Sequence, residues 1–580
     1  MTPSVMTPTR SGMVTARAVA AEVGGVVEAP GDSWGDALRA AFRAGTPIVG
    51  VCASGILIRA LAPILGDKHA EPPVLAVSPD GASVVPLLGG HRGANGMARE
   101  IAAALGGHAA VTTASEHALG VALDDPPAGW TLANPDAVKG VTAALLNGAG
   151  ARREGALPWA APDHDPAGSV TLRGTTRAGS GDAETLIYHP AALAVGVGCA
   201  RGADPDATAR FVRDTLAARG LTPPAVGVVV SLDLKADEAA VHAVAADFGV
   251  PARFFDAATL DAEHSRLHTP SRAVYRTVGC HGVAEGAALA AAGPDGELVV
   301  AKHRAAEATC AVAEAPTPIR ATAVGRARGG VTLVGLGPGG AGEITHAAGA
   351  ALAHADELVG YGGYLDLIPE AAPHARRHRF ALGAEHDRAR AALDLAAEGR
   401  TVALACSGDP GVYAMASPLL EAREASATPA HHRIALDVAP GISAMQAAAA
   451  RLGAPLGHDV AAISLSDLLT PWAVIARRLE AAGAGDMVVA LYNPISKRRT
   501  WQLAAARDIL LQHRPPTTPV GLAHKLGRPG ETVASCTLGE LTGGEVDMHT
   551  LVLVGSSRTR VDAHGALITP RAIPAREDAS

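Results

Sequence analysis

The sequence predicts an α/β protein built from three blocks, and two observations support this prediction. In each block an apolar, strand-like run is followed by a helical segment and a second strand-like run, an order that favours parallel strands joined by helical crossovers. Hydrophobic residues make up 48% of the 580 residues but aromatic residues only 3%, so the cores must be built from Ala, Val, Leu and Ile. Such a composition suits buried parallel sheets covered by helices, and the length requires more than one core.

The first block covers residues 1–150. Its strand-like run PIVGVCA (47–53) is followed by the helix-like GILIRALAPIL (55–65) and by the second strand VLAVS (74–78). Residues 151–188 are rich in Pro, Gly, Ser and Thr and show little periodicity, which predicts a linker.

The second block covers residues 189–314 and repeats the same order. The apolar run LAVGVGC (193–199) precedes the helical ATARFVRDTLAARG (207–220), and VGVVVSL (226–232) follows as the second strand. A second Pro- and Ala-rich segment at 315–329 is predicted to be another linker.

The third block covers residues 330–562. It begins with VTLVGLG (331–337), continues with the helical ITHAAGAALAHA (344–355) and returns to a strand at ELVGY (357–361). Residues 563–580 are predicted to form a frayed tail.

Bulk charge and cysteine usage exclude several classes of protein. The net charge of -8 argues against a nucleic-acid-binding protein. None of the six cysteines forms a CxxC pair, so a zinc ribbon or an iron–sulfur site is not supported, and no metal site on the protein is expected. Neither a signal peptide nor an apolar run of membrane-spanning length is recognised. We therefore expect a cytoplasmic protein without a membrane partner.

A glycine loop with the pattern G-x-G-x-x-G runs from Gly335 to Gly340 between a strand and a helix of the third block. Alone it is a weak dinucleotide fingerprint. Asp356 and Glu357 precede the second strand, whereas the fingerprint places its ribose-binding acid after it, and Pro338 removes a backbone N–H from the loop. An NAD-dependent oxidoreductase is one interpretation; the other is a turn that lets the helix pack close to the strand.

Six later motifs of the third block decide between these interpretations. They are SGDPGVYAMASPL (407–419), VAPGISAMQAAAARLGAPLGHD (438–459), ISLSDLLTPW (463–472), VVALYNPISKRRTWQ (488–502), VGLAHKLGRPGE (520–531) and HTLVLVG (549–555). In this order they resemble the class III S-adenosylmethionine-dependent methyltransferases of tetrapyrrole synthesis, and among these the precorrin-3B C17-methyltransferases. The resemblance covers residues 330–557.

This resemblance implies a two-lobed α/β methyltransferase domain, a homodimer, and S-adenosylmethionine as the methyl donor for a corrin precursor. The positions that match the family's cofactor-binding motifs are Gly408, Asp409, Val412, Tyr413, Gly441, Ile442, Ser443, Tyr492, Asn493, Lys525 and Thr550. In this family the first glycine loop faces the substrate. The corresponding substrate-binding candidates are Gly337, Pro338, Gly339 and Arg498.

The implied chemistry demands alignment more than acid–base catalysis. The sulfonium already activates the methyl group and the ring carbon is already nucleophilic, so proximity supplies much of the rate. Ring contraction also moves protons, for which Asp409 or a histidine is a candidate. The carboxylates of the substrate call for basic side chains, although a solvated surface is the alternative. The candidates are Arg326, Arg328, Arg376, Arg377, Arg379, Lys497, Arg498 and Arg499.

The first two blocks resemble CbiG-type cobalamin-synthesis proteins. The motifs of the first block are ASGILIRALAPILGDK (53–68), LLGGHRGANGMAREIA (87–102), VTTASE (111–116) and GWTLANPDAVKGVTAALLNG (129–148). Those of the second are VGVGCARG (195–202), SLDLKADE (231–238), PARFFDAATL (251–260), GVAEGAAL (282–289) and VVAKHRAAEATCAVA (299–313), and they resemble the C-terminal domain that CbiG shares with CobE. The resemblance implies a cobalt-precorrin-5A hydrolase, which opens a lactone and releases acetaldehyde.

Three sets of residues are candidates for this hydrolysis. His91, in the glycine-rich loop 89–95, could act as a general base or hold a carboxylate with Arg92. Glu285 begins an Ala-rich helix, where a carboxylate is favoured with or without a catalytic role. A third set clusters at a strand end: Asp233, Lys235 and Glu238.

The leading hypothesis is a bifunctional corrin-pathway enzyme, with passage of the corrinoid between neighbouring sites. The alternatives are a front half that binds corrinoid without catalysis, the NAD-dependent oxidoreductase, and a class III methyltransferase acting outside cobalamin synthesis. Residues 1–45 do not match the strand and helix that normally open the CbiG family, which predicts a trimmed hydrolase half. Metal-free precorrin-3B is preferred over its cobalt counterpart as the substrate.

Overall fold

The computed structural model describes residues 3–28, 34–67, 70–112, 119, 121–159, 164–368, 372, 374–544 and 546–571. Its contacts divide the chain into two units, Met1–Ala327 and Arg328–Ser580, which we call the N-terminal unit and the C-terminal unit. Among the described helices, none combines the length and the apolar character needed to cross a membrane.

The N-terminal unit opens with a six-stranded sheet. Its strands lie in the order Val26–Glu28, Ser4–Met6, Ile48–Val51, Val74–Val77, Ser83–Leu88 and His108–Ala109. The first four are parallel, and Ser83–Leu88 is antiparallel to its neighbour Val74–Val77. The helices of this region are Met13–Val23, Trp34–Arg43, Ser54–Leu61 and Ala94–Leu105.

The expectation of a trimmed opening is wrong. Ser4–Met6 is a fully buried strand that pairs with two neighbours, and the helix Met13–Val23 packs Ala16 and Val19 into the core. Both strands that flank this helix contain only three residues. Such short runs carry no strand periodicity in the sequence, so the opening strand and helix escaped detection.

A four-stranded sheet follows where the sequence predicted a linker at 151–188, and that prediction is also wrong. The strands lie in the order Trp130–Leu132, Thr185–Pro190, Val170–Gly174 and Ala151–Glu154, with the helix Val138–Leu146. Leu172, Leu186 and Tyr188 are 0% exposed in its core. Pro- and Gly-rich turns separate these short strands, and the average composition therefore resembled that of a linker.

The third sheet of the N-terminal unit has five strands, in the order Ala252–Phe255, Val226–Leu232, Leu193–Cys199, Ala308–Glu314 and Glu297–Arg304. The first three strands run parallel to one another. Ala308–Glu314 runs antiparallel to both of its neighbours, Leu193–Cys199 and Glu297–Arg304. Its helices are Pro205–Ala218, Ala239–Phe248, Ala257–Ala262, Arg272–Val278 and Val283–Ala292. The two strands predicted at 193–199 and 226–232 are confirmed.

In the segment 315–329, predicted to be a linker, Arg326 pairs with the backbone of Phe254 and its guanidinium contacts Asp233 at 2.6 Å. The end of this segment is therefore held by the third sheet.

The first lobe of the C-terminal unit is a parallel sheet. Its strands lie in the order Arg376–Phe380, Glu357–Tyr361, Thr401–Cys406, Gly330–Gly335 and Ala435–Ala439. The helices that cover it are His346–Ala353, Gly362–Leu365, Glu385–Ala397 and Ala416–Glu424. The carboxyl ends of all five strands share one edge, where α/β proteins usually bind ligands.

The second lobe contains a mixed sheet in the order Val460–Ser464, Val488–Tyr492, Thr550–Val554, Pro519–His524 and Thr532–Thr537. Its helices are Ala444–Leu452, Trp472–Ala484 and Gln502–Leu510. A small sheet joins Gly453–Ala454, Leu567–Ile568 and Arg560–Val561. The predicted frayed tail is therefore wrong up to Thr569, whose hydroxyl donates to the Pro455 carbonyl at 2.6 Å; residues 572–580 lie outside the described chain.

Ten short 3₁₀ turns complete the described structure: Arg10–Gly12, Ala62–Ile64, Gly90–Arg92, Pro135–Ala137, Pro223–Ala225, Asp233–Lys235, His264–Arg266, Ala321–Ala323, Ala341–Glu343 and Pro429–His432.

Candidate functional site

Three glycine loops meet at the carboxyl edge of the parallel sheet in the C-terminal unit. Gly337 and Gly408 pair through their backbones, with N–H to O distances of 3.2 and 2.8 Å. A Cβ atom added to Gly441 would lie closer to the Gly408 carbonyl oxygen than van der Waals contact allows, and 2.8 Å from the Gly335 Cα. The main chains of the three loops approach this closely because glycine has no Cβ.

Asp409 links two of these loops. Its Oδ1 accepts the Gly411 N–H at 2.8 Å, and its Oδ2 accepts the Gly441 N–H at 3.1 Å. Both oxygens are therefore engaged by the backbone. This arrangement fits a carboxylate that fixes the loops better than one that shuttles protons.

Ser443 caps the helix Ala444–Leu452 in a capping box with Gln446, and its own N–H donates to the Gln446 Oε1 at 3.0 Å. The backbone N–H groups of Gly441 and Ser443 therefore both have partners within the protein. Within the described chain, Ile442 is the loop residue whose N–H stays available for a ligand.

Backbone strain is concentrated at the predicted cofactor positions. The described chain has four non-glycine residues with positive φ, and three of them are Tyr413 (52°), Asn493 (51°) and Lys525 (48°). A left-handed conformation costs an L-residue about 1–2 kcal/mol, and such strain is typically retained at ligand sites. Tyrosine and lysine have no special tolerance for this conformation, so a selected function is the simplest physical explanation.

The second lobe brings three predicted residues to one edge of its sheet. Asn493 follows the strand Val488–Tyr492 and Lys525 follows Pro519–His524. Both strands run antiparallel to Thr550–Val554, so Thr550 starts its strand where the other two end. The hydroxyl of Thr550 is buried and donates to Asp547 at 3.1 Å.

Tyr413 and Tyr492 connect the two lobes of the C-terminal unit. Their ring centroids are 5.2 Å apart, and the Tyr413 hydroxyl donates to the Ala462 carbonyl at 2.8 Å. The Tyr492 hydroxyl accepts the Met445 N–H at 3.2 Å. Burial raises the pKa of Tyr492, so this hydroxyl stays protonated at neutral pH.

Arg499 does not belong to a solvated substrate-binding surface, which corrects one of the predicted roles. Its side chain is buried, donates to the Asn493 carbonyl at 2.9 Å and donates to the Ser466 Oγ at 2.9 Å. Arg499 thereby holds the strained turn at Asn493. Lys497 and Arg498, the neighbouring predicted residues, are exposed.

Several other predicted substrate arginines also serve the fold. Arg379 forms a bidentate pair with Asp366 at 2.7 and 2.9 Å. Arg377 donates to backbone carbonyls, and Arg328 donates to the Arg433 carbonyl at 2.8 Å. These contacts leave the exposed Arg376 as the member of its group most available to an anion.

Arg528 is a site residue that sequence reasoning missed. Its Nε donates to the Pro338 carbonyl at 3.0 Å and its Nη2 donates to the Ser407 Oγ at 3.2 Å. The guanidinium also lies 5.9 Å from the centre of the Tyr364 ring. Its position in the motif VGLAHKLGRPGE, three residues after Lys525, was the available signal.

Glu285 of the N-terminal unit is only 1% exposed. Its carboxylate accepts hydrogen bonds from the Lys302 N–H at 2.8 Å and from the N–H and hydroxyl of Thr269, both at 2.9 Å. Burial alone would raise the pKa of Glu285, but these hydrogen bonds outweigh it and hold the pKa below its usual value.

The other predicted residues of the N-terminal unit form ion pairs. Asp233 contacts Arg326 at 2.6 Å, whereas Glu238 contacts Lys235 at 3.3 Å and Arg201 at 3.0 Å. The expected single cluster is thus split into two. The side chain of His91 lies outside the described residues, as does most of the motif at 111–116.

A parallel sheet with three converging glycine loops, followed by a second lobe that supplies strained residues, is the architecture of a tetrapyrrole methylase. The family model of the Tetrapyrrole (Corrin/Porphyrin) Methylases matches residues 330–542, and the chain belongs to this family. Models of the Cobalamin synthesis G N-terminal and C-terminal regions match residues 36–116 and 193–313. The predicted order of a CbiG-like front half and a methyltransferase is confirmed.

Similar proteins come from the same branch of metabolism. "Cobalamin biosynthesis protein CobIJ" of Mycobacterium tuberculosis is 47% identical over 253 residues, which cover 42% of this chain and 49% of that protein. "Precorrin-3B C(17)-methyltransferase" of Sinorhizobium sp is 46% identical over 237 residues, covering 40% of this chain and 91% of that protein. A crystal structure of the methyltransferase CobJ is 42% identical, covers 42% of this chain and all of that chain, and has a TM-score of 0.40. The chain thus spans about half the length of the first relative it matches.

Proposed function

We propose that the C-terminal unit transfers a methyl group from S-adenosylmethionine to C17 of a precorrin-3B-type ring, with ring contraction. The observation that supports this most is the convergence of the strained Tyr413, Asn493 and Lys525 with the three glycine loops. The name of the Sinorhizobium relative supports the position of methylation. Both metal-free precorrin-3B and its cobalt counterpart fit this proposal.

The residues present fit S-adenosylmethionine. Gly408, at φ 69°, leaves the main chain of its loop uncovered, and the N–H of Ile442 is free to donate to a carboxylate. Asn493 and Lys525 offer polar side chains at the facing edge of the second lobe. When bound, the sulfonium supplies an activated methyl group that needs no protein nucleophile.

The protein's own contribution is alignment and exclusion of water. Tyr413 bridges the two lobes by donating to the Ala462 carbonyl, which ties its loop to the second lobe. Arg528 ties the substrate-side loop at Pro338 to Ser407. Fixed loops of this kind convert a bimolecular reaction into an effectively unimolecular one. We assign Asp409 to positioning, because both of its oxygens are engaged by backbone N–H groups.

For the N-terminal unit we propose a corrinoid-binding role, with hydrolysis of a cobalt-precorrin-5A-type lactone as its reaction. The second candidate is binding without catalysis, and a specific observation favours it. Three hydrogen bonds engage both carboxylate oxygens of Glu285 and stabilise its ionised form, which disfavours a role in taking up a proton. Dimerisation and passage of the corrinoid to other pathway enzymes are further parts of the proposal.

The test incubates the full chain with S-adenosylmethionine and either precorrin-3B or its cobalt counterpart, followed by mass spectrometry of the ring. A gain of one methyl group on one ring is the expected result and identifies the substrate; no gain on either ring would overturn the proposal. Acetaldehyde formed from a downstream lactone corrinoid would establish hydrolysis. Corrinoid binding without acetaldehyde would establish the binding role.

We expect Arg528→Lys to lower kcat/KM for the ring substrate about 10- to 100-fold, because a lysine cannot reach Pro338 and Ser407 at once. The thermal midpoint should change little, since the side chain is only half-buried. The matched control is Arg560→Lys, an exposed arginine in the same unit. Equal rates for both variants and the wild type would remove Arg528 from the site.

Substitutions of Lys525 test whether its strained backbone conformation is retained because the side chain binds the cofactor. Lys525→Gly and Lys525→Ala both remove the side chain, and each should weaken S-adenosylmethionine binding roughly 10-fold or more through loss of a charged hydrogen-bond donor. Only glycine relieves the left-handed backbone at φ 48°, so the glycine variant should be more stable than the alanine variant by about 1 kcal/mol. Calorimetric binding and urea unfolding measure the two effects. Unchanged affinity in both variants would contradict the cofactor role.

A further inference from the structure

A cluster of metal-ligating side chains lies in the N-terminal unit, apart from every residue assigned above. Asp261, His264 and His281 each offer one ligand atom, and these atoms all lie within 4.8 Å of one another. Asp261 belongs to the helix Ala257–Ala262, His264 to the next turn, and His281 immediately precedes the helix Val283–Ala292. Three separate elements therefore converge on one point.

The contacts inside the cluster are already close to those of a metal site. The His281 Nδ1 lies 2.7 Å from the Asp261 Oδ1, and the two imidazole ring centroids are 4.0 Å apart. Ligand atoms around a tetrahedral zinc ion are about 3.3 Å apart, given metal–nitrogen distances of about 2.0–2.1 Å. The three ligand atoms lie within 4.8 Å of one another, and the side chain of His264 is exposed.

The surroundings hold two of the three ligands in place. The backbone N–H of His281 also donates to the Asp261 Oδ1 at 3.1 Å. The backbone and the side chain of His281 therefore contact the same carboxylate oxygen. The ring of Tyr275 stacks on His281 at a centroid distance of 4.3 Å. Such preorganisation reduces the entropy that a metal must overcome on binding.

We propose that Asp261, His264 and His281 bind one divalent transition-metal ion, of the zinc or cobalt type, through one carboxylate oxygen and one imidazole nitrogen of each histidine. Two imidazoles and one carboxylate form a borderline ligand set that suits these ions and disfavours calcium and magnesium. Three protein ligands leave a coordination position for water or a ligand oxygen, as catalytic metal sites do. A histidine binds a metal through a ring nitrogen that carries no proton, so each imidazole binds in the tautomer with its proton on the other ring nitrogen.

The test is calorimetric titration of the chelator-treated full chain with zinc and, separately, with cobalt(II). We expect one saturable site and the visible absorption of four-coordinate cobalt(II). The double variant His264→Ala/His281→Ala should weaken binding at this site more than about 100-fold, since even loss of an outer-shell partner costs 10- to 100-fold. Asp261→Asn should also weaken binding, because it removes the anionic ligand.

His268→Ala is the matched control, because this exposed histidine lies on the same segment but outside the cluster. Its binding should equal that of the wild type, and circular dichroism should show that all variants remain folded. A wild-type chain without a saturable site would overturn the proposal, as would a double variant that binds like the His268→Ala control. The readouts are binding and spectra, so the result does not depend on whether the N-terminal unit hydrolyses a lactone.

Discussion

Gly441→Ala is expected to weaken the binding of S-adenosylmethionine strongly and to lower the rate of methyl transfer with it. The added Cβ would overlap the Gly408 carbonyl and would lie 2.8 Å from the Gly335 Cα. Neither neighbour can retreat, because Gly408 pairs with Gly337 and Gly335 ends a central strand. Overpacking of this kind destabilises a protein by about 1–3 kcal/mol. We expect the loops that bind the cofactor to move apart, because this relieves the steric clash. Calorimetry with S-adenosylhomocysteine should show affinity reduced more than about 100-fold.

The matched control for this substitution is Gly349→Ala. Gly349 lies in the helix His346–Ala353 of the same lobe, and an added Cβ would have no neighbour within 4 Å. Alanine is the better helix former, so binding should be unchanged and stability should rise by about 0.5–1 kcal/mol. If Gly441→Ala bound the ligand as tightly as Gly349→Ala, the three loops could not touch in the way described.

The sequence was most informative where burial is continuous along a strand. Leu193–Cys199 and Val226–Leu232 coincide with their predicted ranges, because central parallel strands are apolar on both faces and read as unbroken runs. Val170–Gly174 and Thr185–Pro190 were missed, since both are short, contain polar residues and pair with each other across an intervening loop. Strand pairing of that kind is a tertiary property, which local composition does not encode.

In the candidate site, too, local motifs were predictable from the sequence, whereas contacts between distant segments were not. The motifs located Tyr413, Asn493 and Lys525, and the structure adds that all three adopt positive φ angles. The partners of Arg528 could not be predicted, because Pro338 lies 190 residues earlier in the chain. Arg499 was predicted to be a candidate for the substrate carboxylates, with a solvated surface as the alternative, together with its neighbours Lys497 and Arg498. Only the fold distinguishes the buried one from its exposed neighbours.

Glu285→Ala is expected to destabilise the N-terminal unit by about 3–5 kcal/mol. The change leaves three donors without their acceptor in a buried position: the Lys302 N–H and the N–H and hydroxyl of Thr269. Each unsatisfied buried donor costs about 1–3 kcal/mol. Urea unfolding of the full chain, followed by hydrogen exchange of the helix Val283–Ala292, measures the loss in this unit. Exposed Glu297 provides the control, since Glu297→Ala should change stability by less than about 0.5 kcal/mol.

The pH dependence of stability distinguishes the contribution of the Glu285 charge from that of its side-chain shape. Because the folded unit holds the pKa of Glu285 below its usual value, the carboxylate stabilises the fold fully above the unfolded pKa of about 4.3. That contribution is lost as the pH falls through the lower pKa of the folded state. Glu285→Gln retains one acceptor oxygen but cannot titrate, so its stability should fall less steeply than that of the wild type over this acidic range. Parallel stability curves for Glu285→Gln and the wild type would show that Glu285 is not the titrating group.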